Sequence, residues 1–159
     1  MKKTTRIIGI IIAMLIAFCF AATGMAAEKA TKEECVAKTK EAVKMFQEKG
    51  GEATFAKIND KKGPFVWKNT YVFAFEDETA KFLAHPYVAR RMIGWSMKDW
   101  MDPTGKKVFL EFLAVAKDKG EGWVKYMHAK TAGEEPKPKS SYIYKVPGKN
   151  VIFGAGVYE

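Results

Sequence analysis

Residues 65–76 alternate with a period of two. Phe65, Trp67, Asn69, Tyr71, Phe73 and Phe75 fall on one side, and Val66, Lys68, Thr70, Val72, Ala74 and Glu76 on the other. Successive side chains of a strand point to opposite faces, so this pattern predicts a strand and excludes a helix. One face carries five aromatic rings, and a face that apolar must be covered by another layer. The chain is therefore committed to a sheet with at least one packed face.

The flanking segments supply the other layers. Residues 28–49 contain no Gly or Pro, and Cys35, Thr39, Ala42, Val43 and Phe46 recur at helical spacing with Lys and Glu elsewhere. That is one apolar stripe on a long helix, ended by Gly50-Gly51. Residues 52–58 read as a second short helical run. A polar turn at residues 76–79 and a short strand at 81–84 complete a hairpin, which His85-Pro86 ends because proline cannot extend a central strand. Residues 87–102 are irregular or short-helical, and Asp102-Pro103-Thr104-Gly105 is a turn. Residues 108–119 form a helix with Val108, Phe112, Val115 and Ala116 on one face, capped by Gly120. Strands follow at 122–130, 140–146 and 150–158, the last two joined by Pro147-Gly148. This order predicts an α+β domain: a long N-terminal helix packed on one antiparallel sheet of about five strands, with a helical crossover between strands 2 and 3.

The first 26 residues stand apart. Lys2, Lys3 and Arg6 precede an almost unbroken apolar run from Ile7 to Ala22, and Gly24-Met25-Ala26 offers small residues before a cleavage point. This reads as a secretory signal peptide, the alternative being a retained membrane anchor. The expected organisation is a signal peptide at 1–26, the N-terminal helix at 27–49 and one domain at 50–159, in a periplasmic or secreted protein. Removing the three positive charges of the signal from the formal +9 leaves +6. Those charges are interspersed with Glu, the pattern of a solvated surface, so no nucleic-acid partner is expected. Cys35 remains as a lone cysteine, either a buried thiol or an intermolecular link.

Catalysis finds no positive signal. The only histidines are His85 and His128; there is no H-E-x-x-H, no CxxCH and no phosphate-binding glycine loop. No enzyme, metal site or cofactor is expected. Asp99 and Asp102 read as surface carboxylates around a turn. Binding has more support. Tyr71, Phe73, Met92, Trp95, Trp100, Trp123 and Tyr126 exceed the needs of a plain small core. They fit either an aromatic-walled ligand pocket or extra core.

A set of ordered motifs sharpens this. Tyr71-x-Phe73, Ala84-His85-Pro86, Ile93-Gly94, residues 102–106 (Asp-Pro-Thr-Gly-Lys), residues 119–126 (Lys-Gly-Glu-Gly-Trp-Val-x-Tyr), residues 138–142 (Pro-Lys-Ser-Ser-Tyr) and Gly154-x-Gly156-Val157-Tyr158 occur in order. Together they resemble the single Cache domain over residues 50–159. The resemblance implies a PAS-like sheet and an extracytoplasmic sensor of small molecules, often short carboxylates. It implies a ligand site of Tyr71, Phe73, His85, Met92, Trp95, Tyr126, Lys139 and Tyr142. Lys139 is expected at the rim, entering its strand from a loop. Implied partners are a small organic ligand and a membrane receptor or kinase, with a homodimer through the N-terminal helix as a further expectation. The rival reading is a structural or interaction protein of the cell envelope whose pocket is filled by its own aromatics.

Overall fold

The computed structural model describes residues 28–131 and 133–159; the signal segment expected at 1–26 lies outside the described residues. Helix α1 spans Lys32–Asn59. Thr31 caps it: its hydroxyl accepts from the Glu34 N–H at 3.2 Å, and the Glu34 carboxylate accepts from the Thr31 N–H at 2.9 Å. This capping box satisfies two amides that the first turn leaves without partners, and sets the helix start four residues later than composition implied. Gly50 interrupts α1 with φ 80° and ψ 175°, a left-handed conformation that glycine adopts without penalty. The two helical runs read from the sequence are thus both present, with Gly50 as the break between them.

The sheet has six strands: β1 (Val66–Trp67), β2 (Thr70–Phe75), β3 (Phe82–Ala84), β4 (Glu121–His128), β5 (Lys137–Lys145) and β6 (Ile152–Tyr158). Their order is β1-β2-β6-β5-β4, with β3 also pairing β2, and every pairing is antiparallel. Helix α2 (Val108–Lys119) lies between β3 and β4 in sequence. The expected count of about five becomes six because residues 65–76 are not one strand. The chain turns at Lys68, whose φ is 46°, and β1 folds back on β2. The turn is anchored to the start of α1. Asn69 accepts from the Ala30 N–H, and the Lys68 ammonium lies 2.7 Å from Glu28 and 2.6 Å from Glu34. It also breaks the alternation. Phe65 and Trp67 pack on the α1 side, while Tyr71, Phe73 and Phe75 face the other way.

Alternation along each strand then builds two cores. Cys35, Ala42, Val43 and Ile58 of α1 cover Val72, Ala74, Phe153, Ala155 and Val157. The exposed side of α1 carries Lys32, Glu33, Lys40, Glu41 and Lys44, so nothing on it marks the homodimer contact expected from the sequence. On the opposite face, Phe73, Phe75, Val124, Tyr126, Ile143 and Ile152 meet α2 through Val108, Phe109, Phe112 and Ala116. Gly122 lets α2 approach the sheet, since a Cβ there would sit 2.8 Å from Val115 Cγ1. Gly154 leaves room for the ring of Phe73, its partner on β2, since a Cβ there would sit 2.7 Å from Phe73 Cζ. Residues 85–101 cross this second face. Asp102 ties them to β4: buried, it accepts from Thr104, Lys106 and Met127. Burial opposes its charge, but these donors prevail and hold its pKa at about 2. It is a loop staple rather than the surface carboxylate expected from the sequence.

Candidate functional site

The second face does not close completely. A cavity of about 260 Å³ remains between the sheet, α2 and the crossing segment. Six of the eight residues expected at the site line it: Tyr71, Phe73, His85, Met92, Tyr126 and Lys139. Tyr71 and Phe73 come from β2, Tyr126 from β4 and Lys139 from β5, all on one face of the sheet. His85 and Met92 come from the segment that follows β3.

Trp95 and Tyr142 are not brought to the cavity. Trp95 is 60% exposed on the outside of the crossing segment. Tyr142 is three residues from Lys139 on the same strand, and period two sends the two side chains to opposite faces. Tyr142 lies against Trp123 on the α1 side, ring centroids 5.5 Å apart, and its hydroxyl donates to Glu121. Trp123 is drawn out of the pocket set by the same parity. Lining residues that the sequence did not single out include Phe82, Tyr87, Met97, Phe109, His128 and Lys130. The i, i+1, i+4 spacing of Val108, Phe109 and Phe112 on α2 marks a packed stripe, but nothing in it distinguishes a cavity wall from core.

Lys139 is not at the rim. It is 2% exposed, within β5, paired with Tyr126 on β4 and Tyr158 on β6. Its ammonium lies 5.0 Å from the ring centroids of both Tyr71 and Tyr158. Ring faces attract a cation, but no carboxylate reaches it among the described residues, and neither does any hydrogen-bond acceptor. Burial draws its pKa down to about 8, so it still carries its charge at neutral pH. Gly156 makes the room: a Cβ there would stand 3.0 Å from Lys139 Cε and 2.3 Å from Ser141 Oγ.

The neighbouring groups are neutral. His85 Nδ1 accepts from the Tyr87 and Val88 N–H groups at 3.1 Å each, which assigns the proton to Nε2. Burial first, then Lys139 and His128, push its pKa down to about 3. Its ring packs 4.6 Å from Tyr71 and 5.3 Å from Phe82. His128 Nδ1 hydrogen-bonds the Tyr158 hydroxyl at 2.8 Å, and burial lowers its pKa to about 4. The Tyr126 hydroxyl shares a bond with Ser141 at 3.0 Å. The site therefore presents the Lys139 ammonium, the neutral donor His85 Nε2–H and walls that are mostly aromatic and aliphatic, with Lys130 exposed at its edge. Chemically, such a lining can pair with an anionic group.

An antiparallel sheet with a long N-terminal helix on one face and a cavity on the other is a PAS-like architecture. The family model of the Cache domain matches residues 39–159, and the chain belongs to that family. Solved structures agree on the fold. A periplasmic sensor domain of a chemotaxis protein shares 19% identity, covering 79% of this chain and 88% of that one, with a TM-score of 0.61. A Cache chemosensory domain described for its carboxylic acid recognition shares 24% identity over 79% and 91%, TM-score 0.68. A methyl-accepting chemotaxis protein from Vibrio parahaemolyticus shares 18% over 80% and 87%, TM-score 0.64. Among the described residues no helix is long and apolar enough to cross a membrane.

Proposed function

We propose that this is an exported sensor-type protein whose cavity binds a small organic carboxylate on Lys139 and acts with a membrane signalling partner. The ammonium of Lys139, which has no counter-charge among the described residues and opens onto the cavity from a side chain 2% exposed, carries the reading. A charge removed from water costs several kcal/mol unless it is paired, and the cavity beside it gives an anion room to pair. Charge-assisted bonds are the strong ones, so a carboxylate is favoured over a neutral acceptor. Recognition of carboxylic acids by one structural neighbour is in keeping with this. The leader at residues 1–26 and the periplasmic setting of another neighbour support export and a membrane partner. The open volume of about 260 Å³ counts against an envelope protein with a self-filled pocket.

A thermal-shift screen of the mature protein tests the proposal. A ligand that binds only the folded state raises the melting temperature by mass action. Carboxylates should raise it and the matching primary amides should not; equal effects, or none, would refute the reading.

A further inference from the structure

The carboxylate reading leaves the rest of the ligand undefined, and the following inference rests on that reading. The cavity has two unlike ends. One holds Tyr71, the Lys139 ammonium and His85. The other is walled by Met97, Trp100, Val108, Phe109 and Phe112, none of them ionisable, and Phe82 joins the two, 5.3 Å from His85 and 5.5 Å from Phe109. There the rings meet edge to face: Phe82 on Phe109 at 88°, Trp100 on Phe109 at 87°, Phe109 on Phe112 at 70°.

Volume sets the ligand's size. An apolar cavity of about 150 Å³ accepts benzene, or roughly 25 Å³ per heavy atom. On that scale about 260 Å³ holds at most about ten heavy atoms. A carboxyl group uses three, and the remaining seven match a ring and one methylene. A two-carbon acid would occupy only the Lys139 end. The space beyond it would lack packing partners, and water there would find no polar groups to bond. One buried cation neutralises one carboxylate, and a second carboxylate at the far end would be buried without a partner. Lys130, the other cation of the lining, is exposed.

We propose that the ligand is an aromatic monocarboxylate of about the size of phenylacetate. Its carboxylate sits on Lys139 and its ring against the wall formed by Phe82 and Trp100. Aromatic walls reward a ring beyond its buried area, because edge and face carry opposite partial charge.

Calorimetric titration of the mature protein with acetate, phenylacetate, octanoate and neutral phenylacetamide decides it. Phenylacetate should bind at least tenfold tighter than acetate and tighter than octanoate, and phenylacetamide at least tenfold weaker than phenylacetate. Met97→Trp, which adds bulk at a partly buried wall of the apolar end, should lose phenylacetate tenfold or more and keep acetate; retained acetate binding reports a folded variant. Acetate binding as tightly as phenylacetate would overturn this inference alone, as would octanoate binding as tightly as phenylacetate. So would a Met97→Trp protein that binds both acids like the wild type. Phenylacetamide equal to phenylacetate, or no binding by any acid, would overturn the carboxylate reading and this inference with it.

Discussion

The Lys139 ammonium lies 5.0 Å from the centre of the Tyr71 ring, and no carboxylate among the described residues comes within salt-bridge distance of it. A sheet interior rarely tolerates an ammonium without a counter-charge. The arrangement costs the empty protein stability, which the proposed carboxylate would restore.

Lys139→Met keeps the length of the side chain and removes the buried charge. It should raise the stability of the ligand-free protein by about 1–3 kcal/mol, since replacing buried charge with apolar volume is commonly stabilising. Urea unfolding measures this. A loss of stability would mean that the ammonium is satisfied by a group inside the fold.

The same lysine predicts a pH dependence. Its folded pKa of about 8 lies below the ordinary 10.5, so between these values the unfolded chain holds the proton and the folded chain does not. Stability rises with pH wherever the unfolded state binds more protons. The empty wild-type protein should therefore gain stability relative to Lys139→Met from pH 8 to pH 10, while its affinity for a carboxylate falls. His85 and His128 are already neutral there, with pKa values of about 3 and 4, and Cys35 keeps its proton to about 12. Parallel stability curves for the two proteins across that range would assign the titration elsewhere.

Gly156→Ala should cost about 1–3 kcal/mol by overpacking. Its Cβ would stand 2.9 Å from the Ser140 carbonyl oxygen, which is backbone and cannot swing away, as well as 3.0 Å from Lys139 Cε. Denaturant midpoints at equal slope provide the check. An unchanged midpoint would mean that β5 and β6 separate at little cost.

Cys35 is fully buried between α1 and the sheet, and burial pushes its thiol up to about 12. The thiolate is the reactive form, so labelling by a disulfide reagent at pH 8 should be slow in the native protein and fast in urea. Fast native labelling, or a disulfide-linked dimer, would contradict this placement.

The sequence made the helix stripe legible because Cys35, Thr39, Ala42 and Val43 obey one period without interruption. It made most of the site legible because Tyr71, Phe73, Tyr126 and Lys139 sit at fixed parity on their strands. Three features escaped. The turn at Lys68 needs a positive φ that lysine seldom adopts, and its cause is tertiary: Glu28, Glu34 and Ala30 hold the turn from the start of α1. Naming Tyr142 beside Lys139 ignored an odd spacing on one strand, which strand geometry alone forbids. The burial of Lys139 was hidden because it depends on Gly156, a residue whose contribution is an absent side chain.

The central claim is that Lys139 anchors a carboxylate inside the cavity. Calorimetry of wild type and Lys139→Met with phenylacetate and acetate tests it most directly. A hydrogen bond to a charged group is worth about 1.5–3 kcal/mol, so the variant should bind whichever acid the wild type binds roughly 10- to 150-fold more weakly. Equal affinity in the two proteins would contradict the claim and place the anion elsewhere.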